Sequence, residues 1–363
     1  MATESAARDP LRTLVALAAA ALLVAGLRAA SAILVPVVLA AFLAVLVLPL
    51  VHLLERHRVP LSLAITAAML VLFGVLGGFL VLLGGSLGEL RETGPRYLRE
   101  IQERLAYTLE WWGGKGIALD AWLPDRWFDA KAVVNLLGLT VRGSAAFLSQ
   151  GTLVLLTLVF VLLEAGDFRP RLRRAFGDNP RIDRLARVTL ELQRYLWIKT
   201  LVSAALGLSV ALWIAWMGVD FAVLLGLLAF GCHFVPNIGA LLAALPGMLI
   251  AFVQHDPLHA ILVGLGYLVL GMVLGNLVEP LLMGRRLGLS SLVVFVSLIF
   301  WGWVWGAVGM LLSVPLTMTV RIVAEGDADL RWLAVLLEST PRAVLAAAPV
   351  EPEPPPPAGP PEA

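Results

Sequence analysis

Apolar residues in this chain run in long stretches almost free of charge, separated by two stretches in which charge is dense. A helix that crosses a bilayer needs about 20 predominantly apolar residues. Scanned for such runs, the sequence gives Leu14 to Leu27, Ser31 to Leu54, Leu61 to Leu87 and Gly143 to Leu163. Leu201 to Val219, Phe221 to Val253, Leu258 to Val278 and Leu289 to Val320 follow. The pattern predicts an all-α, polytopic integral membrane protein with about eight apolar segments. The first run reads as a span and not as a cleaved export signal, because no A-x-A site closes it and a second run follows at once.

The charged stretches set the expected topology. Gly88 to Arg142 holds eight basic and eight acidic residues, with Trp111, Trp112, Trp122 and Trp127 among them. Leu90, Tyr97, Ile101, Leu105 and Leu109 recur at near-helical spacing, so Glu89 to Trp112 reads as an amphipathic helix. It is either an interfacial cap or partner surface, or a helix packed on its neighbours. Ala165 to Lys199 carries nine Lys/Arg against four Asp/Glu, with Arg169, Arg171, Arg173 and Arg174 directly after the fourth span. Basic residues near span ends stay in the cytoplasm. That loop, the N-terminus (Arg8, Arg12) and the Arg56/Arg58 turn are therefore expected inside, and Gly88–Arg142 outside. Pro349 to Ala363 has eight prolines in fifteen residues and reads as a disordered polyproline-type extension.

The expected organisation is a cytoplasmic N-terminus (1–12), three transmembrane helices (13–87), an extracytoplasmic amphipathic insert (88–142) and a fourth transmembrane helix (143–164). A basic cytoplasmic loop (165–199), a unit of two span-plus-hairpin repeats (200–322) and a cytoplasmic tail (323–363) complete it. The repeats rest on two interruptions. Phe221–Val253 is too long for one straight span and is broken at Phe234-Val235-Pro236-Asn237-Ile238-Gly239. Leu289–Val320 is interrupted at Trp301-Gly302-Trp303-Val304-Trp305-Gly306-Ala307-Val308-Gly309. Proline removes an amide donor and glycine permits backbone that other residues avoid. Similar text follows each break: Ile238-Gly239-Ala240-Leu241-Leu242 before Pro246, and Val308-Gly309-Met310-Leu311-Leu312 before Pro315. If the first segment enters and returns on the outer side, Arg285 and Arg286 fall in the cytoplasm and the second enters from inside. That is the inverted-repeat design of many secondary transporters, with the two tips as candidate substrate site.

Composition agrees with a life in lipid. Apolar residues make up 60% of the 363 and charged residues 15%, against roughly 45–50% and 25% in soluble proteins. A formal charge of +1 offers no basic field for nucleic acid. The single cysteine, Cys232, excludes an intramolecular disulfide and any Cys-based metal centre. Charge is costly in a bilayer, so the polar groups near spans are candidates for work. Asn276 and Glu279 stand at i and i+3, which on an α-helix is one face. Glu279 is a proton or cation site, or pairs with Arg285 and Arg286 at the interface. His233 abuts the first break, where an imidazole carries a proton or bonds freed backbone. Asp220 lies at a span end. Trp301, Trp303 and Trp305 form an aromatic cage or an interfacial belt.

Enzyme signals are thin. His255-Asp256-Pro257-Leu258-His259 has the histidine spacing of a zinc helix, but Pro257 lies inside it and the HExxH glutamate is missing. Neither a GxSxG elbow nor a Walker A loop occurs. No catalytic residue, metal or cofactor is expected.

The run Phe234–Gly239 with Pro246 after it resembles the hairpin motif of the autoinducer-2 exporter (AI-2E) family of permeases. Gly275-Asn276-Leu277-Val278-Glu279-Pro280 through Gly284-Arg285-Arg286-Leu287-Gly288-Leu289-Ser290 resembles its second signature, and Phe300–Gly306 through Pro315 continues the match. His233 stands where members often carry Asn or Asp, and Ser291 and Ala307 where they carry proline. The placement of basic residues puts both termini in the cytoplasm, and the resemblance implies a multi-pass inner-membrane transporter. Its implied cargo is the quorum-sensing signal autoinducer-2, a small polar solute, or sodium (lithium) ions exchanged for protons. It also implies a homo-oligomer, with a pentamer as one form. Pro236, Asn237, Gly239, Asn276, Trp301, Gly302, Trp303, Gly306 and Gly309 are the expected substrate-binding residues, and Glu279 and His233 the ion-coupling ones. The competing reading is a non-transporting scaffold that holds a partner on its Trp-rich insert.

Overall fold

The computed structural model describes residues 10–113, 151–164, 171, 173–175, 177, 180–236, 239–283, 289–326 and 330–337. Asn237, Arg285, Arg286, the insert beyond Gly113 and the proline-rich tail lie outside them. Among the described residues the elements are helices. The first four are α1 (Pro10–Ala29), α2 (Ser31–Arg56), α3 (Leu61–Gly113) and α4 (Gly151–Glu164). Next come α5 (Pro180–Trp216), α6 (Ala222–His233) and α7 (Gly239–Gln254). A π-helical stretch, Met272–Val278, joins α8 (Pro257–Gly271) to α9 (Glu279–Met283), and α10 (Ser291–Glu325) and α11 (Arg331–Leu337) close the series. Five helical runs are long and apolar enough to cross a bilayer: Ser31–Arg56, Leu61–Ser86, Val188–Trp216, Pro257–Met283 and Ser291–Glu325.

Three boundaries differ from those expected. α1 and α2 are not an antiparallel pair of spans. Ala30 alone separates them, its N–H donates to Gly26 O (2.9 Å) and its carbonyl accepts from Leu34 N–H (2.9 Å). One residue with helical hydrogen bonding on both sides cannot reverse the chain. The third span and the amphipathic helix are one helix, α3, whose 53 residues extend about 80 Å. The second half of the basic loop is helical too, because α5 starts at Pro180 and runs unbroken into the apolar stretch.

Two elements double back. α6 and α7 form a helical hairpin that turns around Pro236: Gly247 on the returning arm lies against Leu225 on the entering arm, 3.6 Å from where a Cβ would stand. α10 also reverses. Ser297 Oγ donates to Ser313 O at 3.0 Å, whereas a straight helix would hold residues sixteen apart about 24 Å from each other. The pivot is Gly306, at φ 63° and ψ −144°, in the region only glycine occupies without strain. The second interruption is thus concentrated at one residue.

α5 organises both hairpins. Its C-terminal half (Leu206, Val210, Ile214) forms a core with Leu225, Ala229, Ala243 and Val263 of α6, α7 and α8. Its N-terminal part (Val188, Leu192, Tyr195) packs with Leu312, Val314 and Met318 of α10 and Phe42 of α2. α8–α9 runs antiparallel to α5: the Trp213 ring fills the gap over Gly266, Lys199 meets Glu279, and Arg194 Nη2 donates to Leu282 O. A separate cluster joins α2, α3 and α4 through Ala44, Ala68 and Leu158.

Beyond its apolar part, α3 is tied to the first hairpin. Tyr97 Oη donates to Asp220 Oδ2, Gln254 Nε2 donates to Tyr97 Oη (2.7 Å), and Asp220 N–H donates to Gln254 Oε1 (2.9 Å). Burial, followed by the hydrogen bond to Asp220 and its charge, pushes the Tyr97 hydroxyl up to about 12. Phe221, held at φ 61°, is buried edge-on against the Tyr97 ring. Asp256 caps α8, its Oδ1 accepting from His259 N–H at 2.7 Å, while the His255 and His259 rings stack.

Candidate functional site

Lys199 sits on α5 between the parts that carry the two hairpins, and its ammonium is buried. Nζ donates to both carboxylate oxygens of Glu279, each at 3.0 Å. The two side chains are 7% and 15% exposed, and a buried charge is tolerable only when paired in this way. Next to them His233, at the end of α6, brings Nε2 to 3.5 Å from Glu279 Oε2. Its Nδ1 lies 2.9 Å from Ser203 Oγ, one helical turn after Lys199. With the hydroxyl donating to Nδ1, the Nε2–H points at the carboxylate; the opposite tautomer would aim a lone pair at a negative charge. Three elements therefore converge on one carboxylate. Gly275 makes room for them, because a Cβ there would stand 3.2 Å from His233 Nε2.

The expected residues divide between this network and the two turns. Glu279 and His233 meet in it. Asn276 does not: the Met272–Val278 stretch is π-helical, its turns are wider, and residues i and i+3 no longer share a face. Glu279 faces α5, and Asn276 is exposed. Glu279 is paired with Lys199 and not with an interfacial arginine among the described residues. Pro236 is half-buried at the first turn. Gly239 is buried where a Cβ would overlap the Cys232 carbonyl oxygen, and Gly309 where one would overlap that of Trp301. These two glycines occupy matching places in the two similar stretches of sequence. Gly302 faces Met310 across the second hairpin, and Gly306 is exposed at its pivot.

The three tryptophans do not line one cage. Trp301 and Trp305 are buried, with Nε1–H donating to Thr317 Oγ1 (3.1 Å) and to Leu27 O (3.1 Å) respectively. Trp303 points the other way, 55% exposed, with the Arg28 guanidinium 4.5 Å over its ring.

The sequence model of the AI-2E family transporters matches residues 14–326. The AI-2 transport protein TqsA of Escherichia coli (strain K12) is 38% identical over 331 residues, 90% of this chain and 95% of TqsA. YhhT of the same organism is 35% identical over 342 residues, 93% of this chain and 97% of YhhT. The chain belongs to the AI-2E transporter family. It is accordingly a multi-pass membrane protein of transport and not an enzyme. In this AI-2E transporter the sequence reading missed Lys199 and Ser203. Lys199 was counted with the basic loop because it stands at the edge of an apolar run, yet Tyr195 and Leu196 before it and Val202 after it are all buried. Ser297, Ser313 and Thr317, which tie the arms of the second hairpin, were hidden within an apolar segment.

Proposed function

We propose that this AI-2E transporter is a secondary transporter that exports a small polar solute of the autoinducer-2 type by alternating access. The observation that carries the reading is the buried Lys199–Glu279–His233–Ser203 network at the meeting point of α5, the first hairpin and α8–α9. A charged cluster this deep in apolar surroundings is costly unless it has work to do. The first hairpin's arms are about 18 and 24 Å long, and those of the second about 22 and 28 Å, short of a hydrocarbon core of about 30 Å. Phe230, near the first tip, touches Phe79 inside the α3 span, while the hairpin's base is level with Tyr97 beyond that span. These relations support re-entrant hairpins in an inverted repeat, entering from opposite sides. Backbone freed at the two turns, at Pro236 and at Gly306, coordinates the solute, while Gly239 and Gly309 let the arms behind each turn pack closely. Glu279 and His233 couple its movement to protons. The similarity to TqsA, an AI-2 transport protein by name, supports the class of solute.

The proposed setting is the inner membrane, with the C-terminus cytoplasmic, 88–142 outside and the chain assembled as a homo-oligomer such as a pentamer. Because α1 and α2 make a single crossing, the N-terminus belongs outside, opposite to the expectation. In cells lacking this gene, autoinducer-2 should accumulate inside, and restoring the gene should return it to the medium. The same distribution in both strains would exclude export. The second reading, sodium/proton antiport, draws on the buried carboxylate beside an imidazole. Everted vesicles with a pH-sensitive dye should alkalinise on adding sodium if it holds. A non-transporting scaffold on the insert gives no role to that buried cluster.

A further inference from the structure

We infer that Lys199 decides which cation the site takes: it fills the cation position beside Glu279 as a tethered ammonium, so the carboxylate exchanges protons and excludes sodium and lithium. The inference rests on Glu279 being the coupling group of the proposed transporter. The geometry is that of an occupied cation site. Nζ holds both oxygens of Glu279 at 3.0 Å, and His233 Nε2 stands 3.5 Å from one of them. An alkali ion needs several oxygens around it. Here the other hydroxyl in the network, Ser203 Oγ, is bonded to His233. No cluster of three or more His, Cys, Asp or Glu that could hold a metal ion occurs among the described residues.

Charge alone does not separate the two ions: Lys199 and Glu279 cancel while His233 is neutral, so a sodium ion and a proton each leave one net positive charge beside the ammonium. Size and coordination do: a proton bonds directly to Glu279, or to His233 Nδ1 once the Ser203 hydroxyl turns, whereas sodium needs a shell of oxygens in the place that Nζ fills. The titratable and charged groups that face this position are Tyr195 and Lys199 from α5, His233 from α6, and Glu279 from α9. Arg194 lies about a turn further along α5, on the Leu282 carbonyl.

The test is sodium and lithium binding to the purified full-length protein in detergent at pH 8, against choline at equal ionic strength. Binding is read as a thermal-unfolding shift and as retained radioactive sodium. The wild-type protein should show no alkali-specific response. Lys199→Met should gain one, with sodium binding at least roughly tenfold tighter, and Lys199→Met/Glu279→Gln should lose it again. Lys199→Arg keeps the charge and should behave as wild type. A sodium shift in the wild-type protein that disappears in Glu279→Gln overturns the inference, and this arm does not depend on Lys199→Met folding. A folded Lys199→Met that binds no more sodium than wild type also overturns it. The transport reading fails separately, through absence of solute flux, whatever the binding results.

Discussion

Gly239 and Gly309 show how single residues hold each hairpin together. Each lies where the returning arm crosses the entering one, against a backbone carbonyl that cannot move aside. Alanine at either should lower stability by about 1–3 kcal/mol, the usual cost of forced overpacking, and with it the unfolding temperature. Gly85 on α3 has nothing within 4 Å of a Cβ and provides the control. Equal behaviour of all three variants would show that the hairpins are not packed this closely. The Lys199–Glu279 pair makes a second prediction. Glu279→Gln strands a buried ammonium and should cost about 3–5 kcal/mol, whereas Lys199→Met/Glu279→Gln removes both charges and should recover most of it. Equal losses in the single and double variants would contradict the pairing. Half of this pair was legible in the sequence. Glu279 stands in a long uncharged stretch just before Pro280, while Lys199 borders a loop rich in arginine, and composition alone cannot tell a buried end charge from a solvated one.

At the scale of elements, the fold-back of α10 is the feature a hydropathy pattern conveys least well. Proline and glycine marked the first break at Pro236 correctly. In the second, a nine-residue run of Trp, Gly and Val gave no single position, and the reversal depends on the conformation of Gly306 alone. Ser297→Cys/Thr317→Cys, with Cys232 replaced by alanine, should form a disulfide readily on oxidation, because the two hydroxyls are hydrogen-bonded. A straight helix would separate them by about 30 Å and give no bond. The tie between α3 and the first hairpin was equally hidden, since Tyr97 and Asp220 are 123 residues apart. It also carries a pH dependence. The folded pKa of Tyr97, about 12, lies above its ordinary 10.0. The hydroxyl's contribution to stability is therefore complete below pH 10 and is lost as the pH rises through about 12. Tyr97→Phe should unfold more easily at neutral pH and lack that alkaline loss. An unchanged alkaline profile would place the titration elsewhere.

For the molecule as a whole, α5 carries one hairpin on each half, and α8–α9 lies antiparallel to it with the buried network between them. Of the eight apolar segments expected, five coincide with helical runs long and apolar enough to cross a bilayer among the described residues, and hydropathy marks those runs because each is almost free of charge. They did not show that two of those segments are joined through Ala30, or that α5 reaches back to Pro180, because helical hydrogen bonding continues there through residues of either polarity. The central claim is that solute export runs on protons through Glu279. Its most direct measurement is efflux of autoinducer-2 from proteoliposomes under an imposed pH gradient, comparing wild type with Glu279→Gln at equal incorporation. The account predicts gradient-driven efflux from wild type and loss of the gradient's effect in Glu279→Gln. Efflux from Glu279→Gln with an unchanged dependence on the gradient would contradict it.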